Sequence, residues 1–355
     1  MSDHHHAHGH RHDAEDLTTT ANPVLVELVR GDMTESRYRG SIAVVDAHGH
    51  VALAVGDIMS PVYARSGIKP IQALPLVETG AAQALGLGTA QIALACSSHN
   101  GAPTHVDIVR SWLEKIGLGG DDLECGASMP RREEDRKALY LAGGGPSALQ
   151  DNCSGKHAGF LTVAKHLGYP TAGYVRLDHP VQQRVFGTLE QMAGLDLSGA
   201  PKGIDGCNIP TIGIPLGNLA LAMARLADPH DQPEERQAAC RRIRAAMAAE
   251  PYLVAGKGRF CTRVIEALGE AALVKTGAEG VFCAALSDRK LGVALKIDDG
   301  AGQPAETVMI RLLQKFGVMT ERATGQLLNL LEPPVFSRAG KVVGVLKTVH
   351  ADLRA

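Results

Sequence analysis

The stretch YARSGIKPIQAL, Tyr63–Leu74, places Ser66 three residues ahead of Lys69 and then continues as an apolar run. If the run is helical, residues three apart share one face. A serine hydroxyl is a poor nucleophile until a base takes its proton, and a lysine can act as that base only when burial or a nearby charge keeps it neutral. The pair therefore predicts nucleophilic catalysis. The alternative is a serine that caps a helix and a lysine that reaches solvent.

Two other short stretches carry groups of the same kind. Residues Ser97–Asn100 (SSHN) end a buried apolar run, and Lys275–Gly277 (KTG) lies within another. The first is either a turn or cap, or a loop that directs a hydroxyl and an amide into a cleft. The second is either an edge strand protected by a lysine, or a strand whose glycine lets a substrate approach the backbone.

The order of these three stretches favours a catalytic role for them. S-x-x-K, S-x-N and K-T-G, in this order, resemble the motifs of serine β-lactamases and penicillin-binding proteins. Ser98 follows Ser66 sooner than in that group. The pattern thus indicates a relative with acyl-transfer chemistry rather than a β-lactamase.

Two cysteine-containing segments predict a metal site. DNCSGKHAGF supplies Cys153, Lys156 and His157, and IDGCNIPT supplies Asp205 and Cys207. Two thiolates, one nitrogen and a water are a plausible tetrahedral zinc site. On chemistry alone His157 is the natural nitrogen ligand, because a lysine must first lose its proton. The alternative is two separate buried thiols, which are common in proteins.

Composition excludes several classes of function. The 355 residues are 45% hydrophobic and 21% charged, with a net charge of -2 and 4% aromatic residues, and no basic block occurs. These values disfavour nucleic acid or a membrane surface as a partner. No apolar run reaches the length of about 20 residues that a transmembrane helix needs. The polar N-terminus and the seven scattered cysteines predict a cytoplasmic protein with reduced thiols.

The distribution of strand and helix patterns predicts an α+β fold. PVLVELVRG is typical of a first strand, and two β-rich runs flank a turn at Asp46–Gly49. A helix is expected at about Ser66–Leu85, and residues 104–270 show mainly helical spacing. Strand patterns return around Ser287–Arg289, and GKVVGVLKTVHADL is expected to close the sheet.

We therefore predict an antiparallel sheet, completed by both chain ends, with an inserted helical subdomain. Its sheet parts are residues 22–65 and 272–355, within a single domain of residues 22–355. Residues 1–21 are His-rich and are predicted to be a disordered tail or a tag.

Six ordered segments make the resemblance to a known family specific. RSGIKPIQ, CSSHNG, DNCSGKHAGF, DGCNIPT, VKTGAEGV and ALKIDDG closely resemble the Rhizobium etli-type (class 3) L-asparaginases. The likeness runs from about Asn22 to the C-terminal strand. It implies a β-lactamase-like fold, a homodimer, and hydrolysis of L-asparagine to aspartate and ammonia.

The resemblance also implies roles for individual residues. It pairs Ser66 with Lys69 and Ser98 with Lys275 as catalytic groups. It implies one zinc ion per subunit that orients substrate rather than supplying the attacking water. The implied zinc ligands are Cys153, Lys156 and Cys207 with a water, and Lys156 thereby replaces His157. Further neighbours of the site are Arg65, His99, Asn100, His157 and Asp205.

Two other functions remain open from the sequence. A D-amino-acid peptidase or β-lactamase would use the same serine and lysine motifs. A zinc-containing protein that binds an amino acid, with inherited but idle Ser–Lys pairs, would need no catalysis. Buried lysines without a use are costly, which disfavours the idle alternative.

Overall fold

An antiparallel sheet and a set of helices form the structure, a computed structural model that describes residues 21–353. The predicted His-rich tail, apart from residue 21, lies outside the described residues. Eleven strands are described: β1 (Val24–Arg30), β2 (Met33–Asp46), β3 (Val51–Val55), β4 (Pro61–Tyr63), β5 (Lys202–Ile204), β6 (Pro210–Pro215), β7 (Leu273–Thr276), β8 (Val281–Leu286), β9 (Leu291–Ile297), β10 (Pro334–Phe336) and β11 (Val342–Thr348).

The α-helices of the described part lie mostly between β4 and β7. They are α1 (Lys69–Gln72), α2 (Leu74–Glu78), α3 (Ala81–Ala84), α4 (Thr89–Ala95), α5 (Pro103–Lys115), α6 (Glu133–Leu141), α7 (Ser154–Leu167), α8 (Pro180–Ala193), α9 (Leu216–Ala227), α10 (Glu234–Ala249), α11 (Pro251–Ala255), α12 (Phe260–Leu268), α13 (Gly302–Lys315) and α14 (Glu321–Leu331).

The main sheet joins the two ends of the described chain. Its order is β10-β11-β1-β2-β9-β8-β7, with β3 paired to β2, and every pairing is antiparallel. The C-terminal strand β11 pairs with β1, Val26 opposite Thr348. The predicted α+β fold, with a sheet completed from both ends, is confirmed.

Local predictions in the sheet also hold. The hairpin of β2 and β3 turns at Asp46, whose carboxylate accepts the backbone N–H groups of His48 and His50. Strands β8 and β9 flank the turn at Ser287–Arg289 as expected. The sequence pattern placed Lys275–Gly277 in the same returning strand as the run before Ser287, whereas the structure divides this stretch into β7 and β8, which pair with each other.

The expected helix from Ser66 to Leu85 is broken into four short pieces. Residues Arg65–Ile68 form a 3₁₀ turn, and α1, α2 and α3 follow as separate helices. Pro75 cannot donate an N–H group to the turn before it, which interrupts the helix. Gly80 adopts φ = 80°, a left-handed conformation that separates α2 from α3.

A second, three-stranded sheet of order β4-β6-β5 lies inside the helical part. The sequence analysis did not predict it, because its strands are short and rich in glycine and proline. It brings the ends of β4 and β5 together, where Arg65 and Asp205 follow. Within residues 21–353, no helix combines the length and apolarity needed to cross a membrane.

Candidate active site

Ser98 lies between two buried lysine amines. Its Oγ is 3.0 Å from Lys69 Nζ and 2.9 Å from Lys275 Nζ. Lys69 comes from α1 and Lys275 from β7, and each is 1% exposed. Although β7 is an edge strand, Lys275 thus points inward, and the alternative of a protective surface lysine is wrong.

The two lysines occupy different electrostatic environments. Burial, together with the charges of Lys69 and Arg259, lowers the pKa of Lys275 to about 7. A neutral amine is therefore accessible at physiological pH. Lys69 Nζ also contacts the Ser97 carbonyl oxygen and lies 3.1 Å from Cys153 Sγ. Lys69 thus hydrogen-bonds to a backbone oxygen and to a sulfur as well as to Ser98.

Ser66 lines the same pocket as Ser98. It follows Arg65, whose φ of 48° is unusual for a residue with a side chain and costs about 1–3 kcal/mol. Of the hydrogen bonds in residues 21–353, none joins Ser66 Oγ to Lys69 Nζ. Lys69 contacts Ser98 instead, so the structure brings three of the four predicted catalytic groups into one cluster with Ser66 beside it.

The KTG strand approaches the Ser66 turn very closely at Gly277. A Cβ atom there would lie 2.6 Å from the Val281 carbonyl oxygen and 3.0 Å from that of Ala64. Only glycine fits without a backbone shift. The close approach places the segment Thr276–Ala278 beside Ser66 in the pocket wall.

Arg65 and Asp205 form an ion pair next to the serines. Arg65 Nη2 lies 2.9 Å from Asp205 Oδ1, and both side chains are half-buried. Although burial opposes it, the hydrogen bond from Arg65 and the charge of Lys156 lower the pKa of Asp205. The carboxylate is therefore ionised, and the pair fixes the strained backbone that precedes Ser66.

His99 and Asn100 have mainly structural contacts. His99 Nδ1 accepts the Gly101 N–H group, and its Nε2 lies 2.9 Å from Ser154 Oγ. Burial lowers the pKa of His99 well below its usual value, so the ring is neutral. Asn100 accepts a hydrogen bond from Arg259 Nη1 at 3.0 Å. Both residues contribute to the pocket wall.

The pocket has a volume of about 390 Å³ and a strongly basic lining. Sequence reasoning missed its arginines, which are Arg131, Arg136 and Arg259. A signal was available for Arg259 alone, because it follows the sequence Gly256-Lys257-Gly258, typical of a tight loop. The remaining polar lining residues that sequence analysis missed are Ser128, Gln150 and Asn152, whereas Thr276 belongs to the predicted KTG segment.

A cluster of two cysteines and a lysine adjoins the serine–lysine cluster. Cys153 directly precedes α7, Lys156 lies in its first turn, and Cys207 follows β5. Lys156 Nζ is 3.0 Å from Cys207 Sγ, and all three side chains are buried. His157 instead places its Nδ1 2.7 Å from the Tyr174 hydroxyl, and burial lowers its pKa well below the usual value.

Cys153, Lys156 and Cys207 shift one another's pKa values. A hydrogen bond from the Cys207 thiol, with the charges of Lys156 and Lys69, lowers the pKa of Cys153 well below that of a free thiol. The same hydrogen bond and burial raise the pKa of Cys207. Although burial lowers it, the two sulfurs raise the pKa of Lys156. The cluster is thus a thiolate, a thiol and an ammonium.

These residues fit a zinc ion in donor type and convergence. Two sulfurs and a nitrogen meet at hydrogen-bond distance, and a cation could replace the protons that they share. In the described residues, no group of three or more His, Cys, Asp and Glu side chains could hold a metal. The predicted Cys153–Lys156–Cys207 site is not a group of this kind, because its third ligand is a lysine. The zinc site therefore stays a prediction.

A buried hydroxyl between two amines, one with a pKa near 7, has the arrangement of a nucleophilic hydrolase. Residues 26–348 match the family model described as L-asparaginase II. The chain belongs to this family, and it is an asparaginase, a hydrolase that acts on linear amide C–N bonds. No curated protein sequence matches the chain.

Several solved structures are similar to this chain at low sequence identity. A β-lactamase from Mycobacterium bovis is 13% identical, with 82% of this chain and 94% of that chain covered and a TM-score of 0.37. A β-lactamase from Sphaerobacter thermophilus is 14% identical, with 84% and 94% covered and a TM-score of 0.34. The protein Mglu in its native form is 16% identical, with 78% and 61% covered and a TM-score of 0.44. These values carry no conclusion about activity.

Proposed function

We propose that this chain is a Rhizobium etli-type L-asparagine amidohydrolase, which forms L-aspartate and ammonia through a β-aspartyl ester on serine. The observation that carries the proposal is the position of Ser98 Oγ, within 3.0 Å of two buried amines and beside Ser66 in one pocket. Membership of the asparaginase family supplies the substrate class.

In the first half-reaction, Ser66 Oγ attacks the side-chain amide carbon of asparagine. Lys69, one helical turn away, accepts the serine proton, and the C–N bond breaks as the nitrogen is protonated through Ser98 and Lys275. The contacts of both amines with Ser98 Oγ support this path. A missing hydrogen bond between Ser66 and Lys69 is compatible with it, because catalytic hydrogen bonds often tighten only when substrate binds.

Backbone N–H groups stabilise the oxyanion in this proposal. One belongs to Ser66, and the other lies on the KTG strand. The N–H groups of Thr276 and Gly277 already donate to Cys261 Sγ and the Val281 carbonyl oxygen. The strand's contribution is therefore assigned to Ala278, which lines the pocket.

In the second half-reaction, a water attacks the ester carbonyl carbon and the C–O bond to the serine breaks. A neutral lysine of the cluster takes the water proton, and the serine hydroxyl is restored. Such a double displacement accumulates acyl-enzyme when the second step is slow.

Ser98 is a second candidate for the nucleophile. Its hydroxyl already contacts an amine whose pKa is about 7, whereas within residues 21–353 no hydrogen bond joins the Ser66 hydroxyl to either lysine amine. Trapping the acyl group and locating it by mass spectrometry distinguishes the two serines. An adduct on Ser66 supports the proposed assignment, and one on Ser98 exchanges the two roles.

Cys153, Lys156 and Cys207 would hold the zinc ion. When bound, zinc supplies a fixed positive charge that orients a polar substrate group. Neighbouring side chains keep the two cysteines in place. Lys69 contacts Cys153, and Arg65 pairs with Asp205, which lies two residues before Cys207.

We further propose a homodimer that works in the cytoplasm. All seven cysteines are free and buried, as expected of a protein in a reducing compartment. Sedimentation equilibrium tests the dimer directly, and a mass of one chain at micromolar concentration would contradict it.

A substrate panel separates this function from its rivals. We expect ammonia release from L-asparagine and measure L-glutamine alongside it. Acylation by penicillin without amide hydrolysis would indicate a peptidase or β-lactamase. Binding of asparagine without ammonia release would indicate an amino-acid-binding protein.

A further inference from the structure

Arg259 is a cation of the pocket that forms no ion pair within the described residues 21–353. It caps the N-terminal end of α12 and lines the pocket with Ser66 and Ser98. Among the ion pairs of the described residues, none involves Arg259. Glu306 on α13 faces the same cluster, and burial raises its pKa without an ion pair to Arg259.

A hydrogen bond to Asn100 positions the guanidinium in the wall of the pocket that Ser66 and Ser98 also line. Its Nη1 donates to Asn100 Oδ1 at 3.0 Å, and Asn100 lies two residues after Ser98. The backbones of Ser98 and Asn100 are therefore at most roughly 7 Å apart, because an extended chain spans about 3.5 Å per residue. A bound amino acid has about this length. Burial and the neighbouring Arg131 lower the pKa of Arg259, so a bound anion would relieve an unfavourable charge.

We propose that Arg259 binds the α-carboxylate of the amino-acid substrate and thereby places its side-chain amide at the serines. The inference rests on the proposed function, because it takes asparagine as the substrate class. A planar guanidinium matches a carboxylate in geometry as well as charge. The residue thus determines specificity for substrates with a free α-carboxylate.

Arg131 and Arg136 are weaker candidates for the same role. Both are exposed, and Arg136 Nη1 donates to the Arg131 carbonyl oxygen. Arg136 lies on α6, a helix without a buried side chain, and Arg131 on the loop before it. A carboxylate anchor needs a fixed position, and Arg259 has one through Asn100.

The test compares two substrates that differ only in the carboxylate. β-Alaninamide keeps the amine and amide of L-asparagine and lacks its α-carboxylate. In Arg259→Gln we expect KM for L-asparagine to rise about 100-fold, as expected for loss of a charge-assisted pair. For β-alaninamide the variant and the unsubstituted protein should agree within about threefold on the same principle. Arg259→Lys should recover part of the asparagine affinity.

Arg263→Gln is the matched control. Arg263 is one turn further along α12 and bonds the Gln326 carbonyl oxygen and Asn329 instead of the pocket. This substitution should leave KM unchanged for both L-asparagine and β-alaninamide. Arg131→Gln serves as the competing variant. Equal losses for both substrates in Arg259→Gln, an unchanged KM for asparagine, or a loss confined to Arg131→Gln would each overturn the proposal.

Binding measurements separate this inference from the proposed activity. Calorimetry measures the affinities for L-aspartate and for β-alanine, which lacks the α-carboxylate of L-aspartate. Neither ligand carries the amide, so no turnover occurs. If the unsubstituted protein releases no ammonia, the proposed function fails, and Arg259 is then judged by these titrations alone. Selective binding of L-aspartate that disappears in Arg259→Gln supports the anchor, and absence of that selectivity overturns it.

Discussion

Lys275 sets the response of the site to pH at the scale of single residues. Burial and the charges of Lys69 and Arg259 bring its pKa from 10.5 to about 7, so the amine is neutral above that pH and charged below it. A base must be neutral to accept a proton. The histidines beside the cluster, His99 and His157, have pKa values well below their usual range and do not titrate near pH 7.

We therefore predict that kcat/KM for asparagine rises with pH through about 7 and then levels. Below pH 7 it should fall about tenfold per unit, because each unit reduces the neutral fraction tenfold. A pH–rate profile from 5.5 to 9 measures this. Lys275→Arg should lose both the activity and the rising limb. A profile that is flat between pH 5.5 and 8 would contradict a relay in which neutral Lys275 accepts a proton from Ser98 and passes it to the leaving nitrogen.

The proposed zinc site depends on individual thiols. Cys207→Ser removes one of two sulfur donors, so we predict that bound zinc falls from about one per chain to near zero, and that KM rises. Elemental analysis and steady-state kinetics measure the two effects. Cys240 is buried on α10, outside the Cys153–Lys156–Cys207 cluster, so Cys240→Ser should retain the metal. A fall in kcat with unchanged KM would instead indicate a catalytic metal.

At the residue scale, the sequence could supply types and spacing but not contacts. Lys156 and His157 lie three and four positions after Cys153, and both spacings put a side chain near the same helix face. Only the packing distinguishes them, because Tyr174 engages His157 while Lys156 contacts Cys207. The pairing of Lys69 with Ser98 was likewise beyond prediction, since it depends on how α1 and the loop after α4 meet.

At the scale of elements, α7 and α4 position the two clusters relative to each other. α7 carries Lys156 and follows Cys153, and α4 leads into Ser98. The two helices touch at Gly155, where a Cβ atom would lie 2.4 Å from the Leu94 carbonyl oxygen. At Gly159, one turn later in α7, the nearest atom to a Cβ would be 3.6 Å away.

This contact gives a matched pair of substitutions. Gly155→Ala must push α7 away from α4, so we predict a loss of about 1–3 kcal/mol in the free energy of unfolding, as for other overpacked sites. Gly159→Ala should be neutral or stabilising by up to about 1 kcal/mol, because alanine favours a helix. Urea denaturation measures both. Equal effects of the two substitutions would contradict the close contact.

Short elements limited the prediction at this scale. Periodicity identified the long helices and the β2–β3 hairpin, because each spans several repeats of its pattern. The strands β4 and β5 have three residues each, too few for an alternating pattern to stand out. The small sheet β4-β6-β5 nevertheless positions Arg65 and Asp205, so the missed elements are those that shape the site.

At the scale of the whole molecule, the sheet joins distant parts of the chain. Ser98 and Lys275 are 177 positions apart, and they meet because β7 pairs with β8 in a sheet that β1 and β11 also complete. The predicted order of strands at both ends and helices between them was sufficient for the fold class. It could not supply the order β10-β11-β1-β2-β9-β8-β7, which long-range pairing determines.

The most direct test of the account is ammonia and aspartate release from L-asparagine by the unsubstituted protein and by Ser66→Ala. We predict equal amounts of the two products from the unsubstituted protein. Ser66→Ala should lower kcat roughly 10³-fold or more, as for loss of a nucleophile, with an unchanged circular dichroism spectrum. No release from the unsubstituted protein, or near-normal turnover by Ser66→Ala, would contradict a mechanism in which Ser66 attacks the amide.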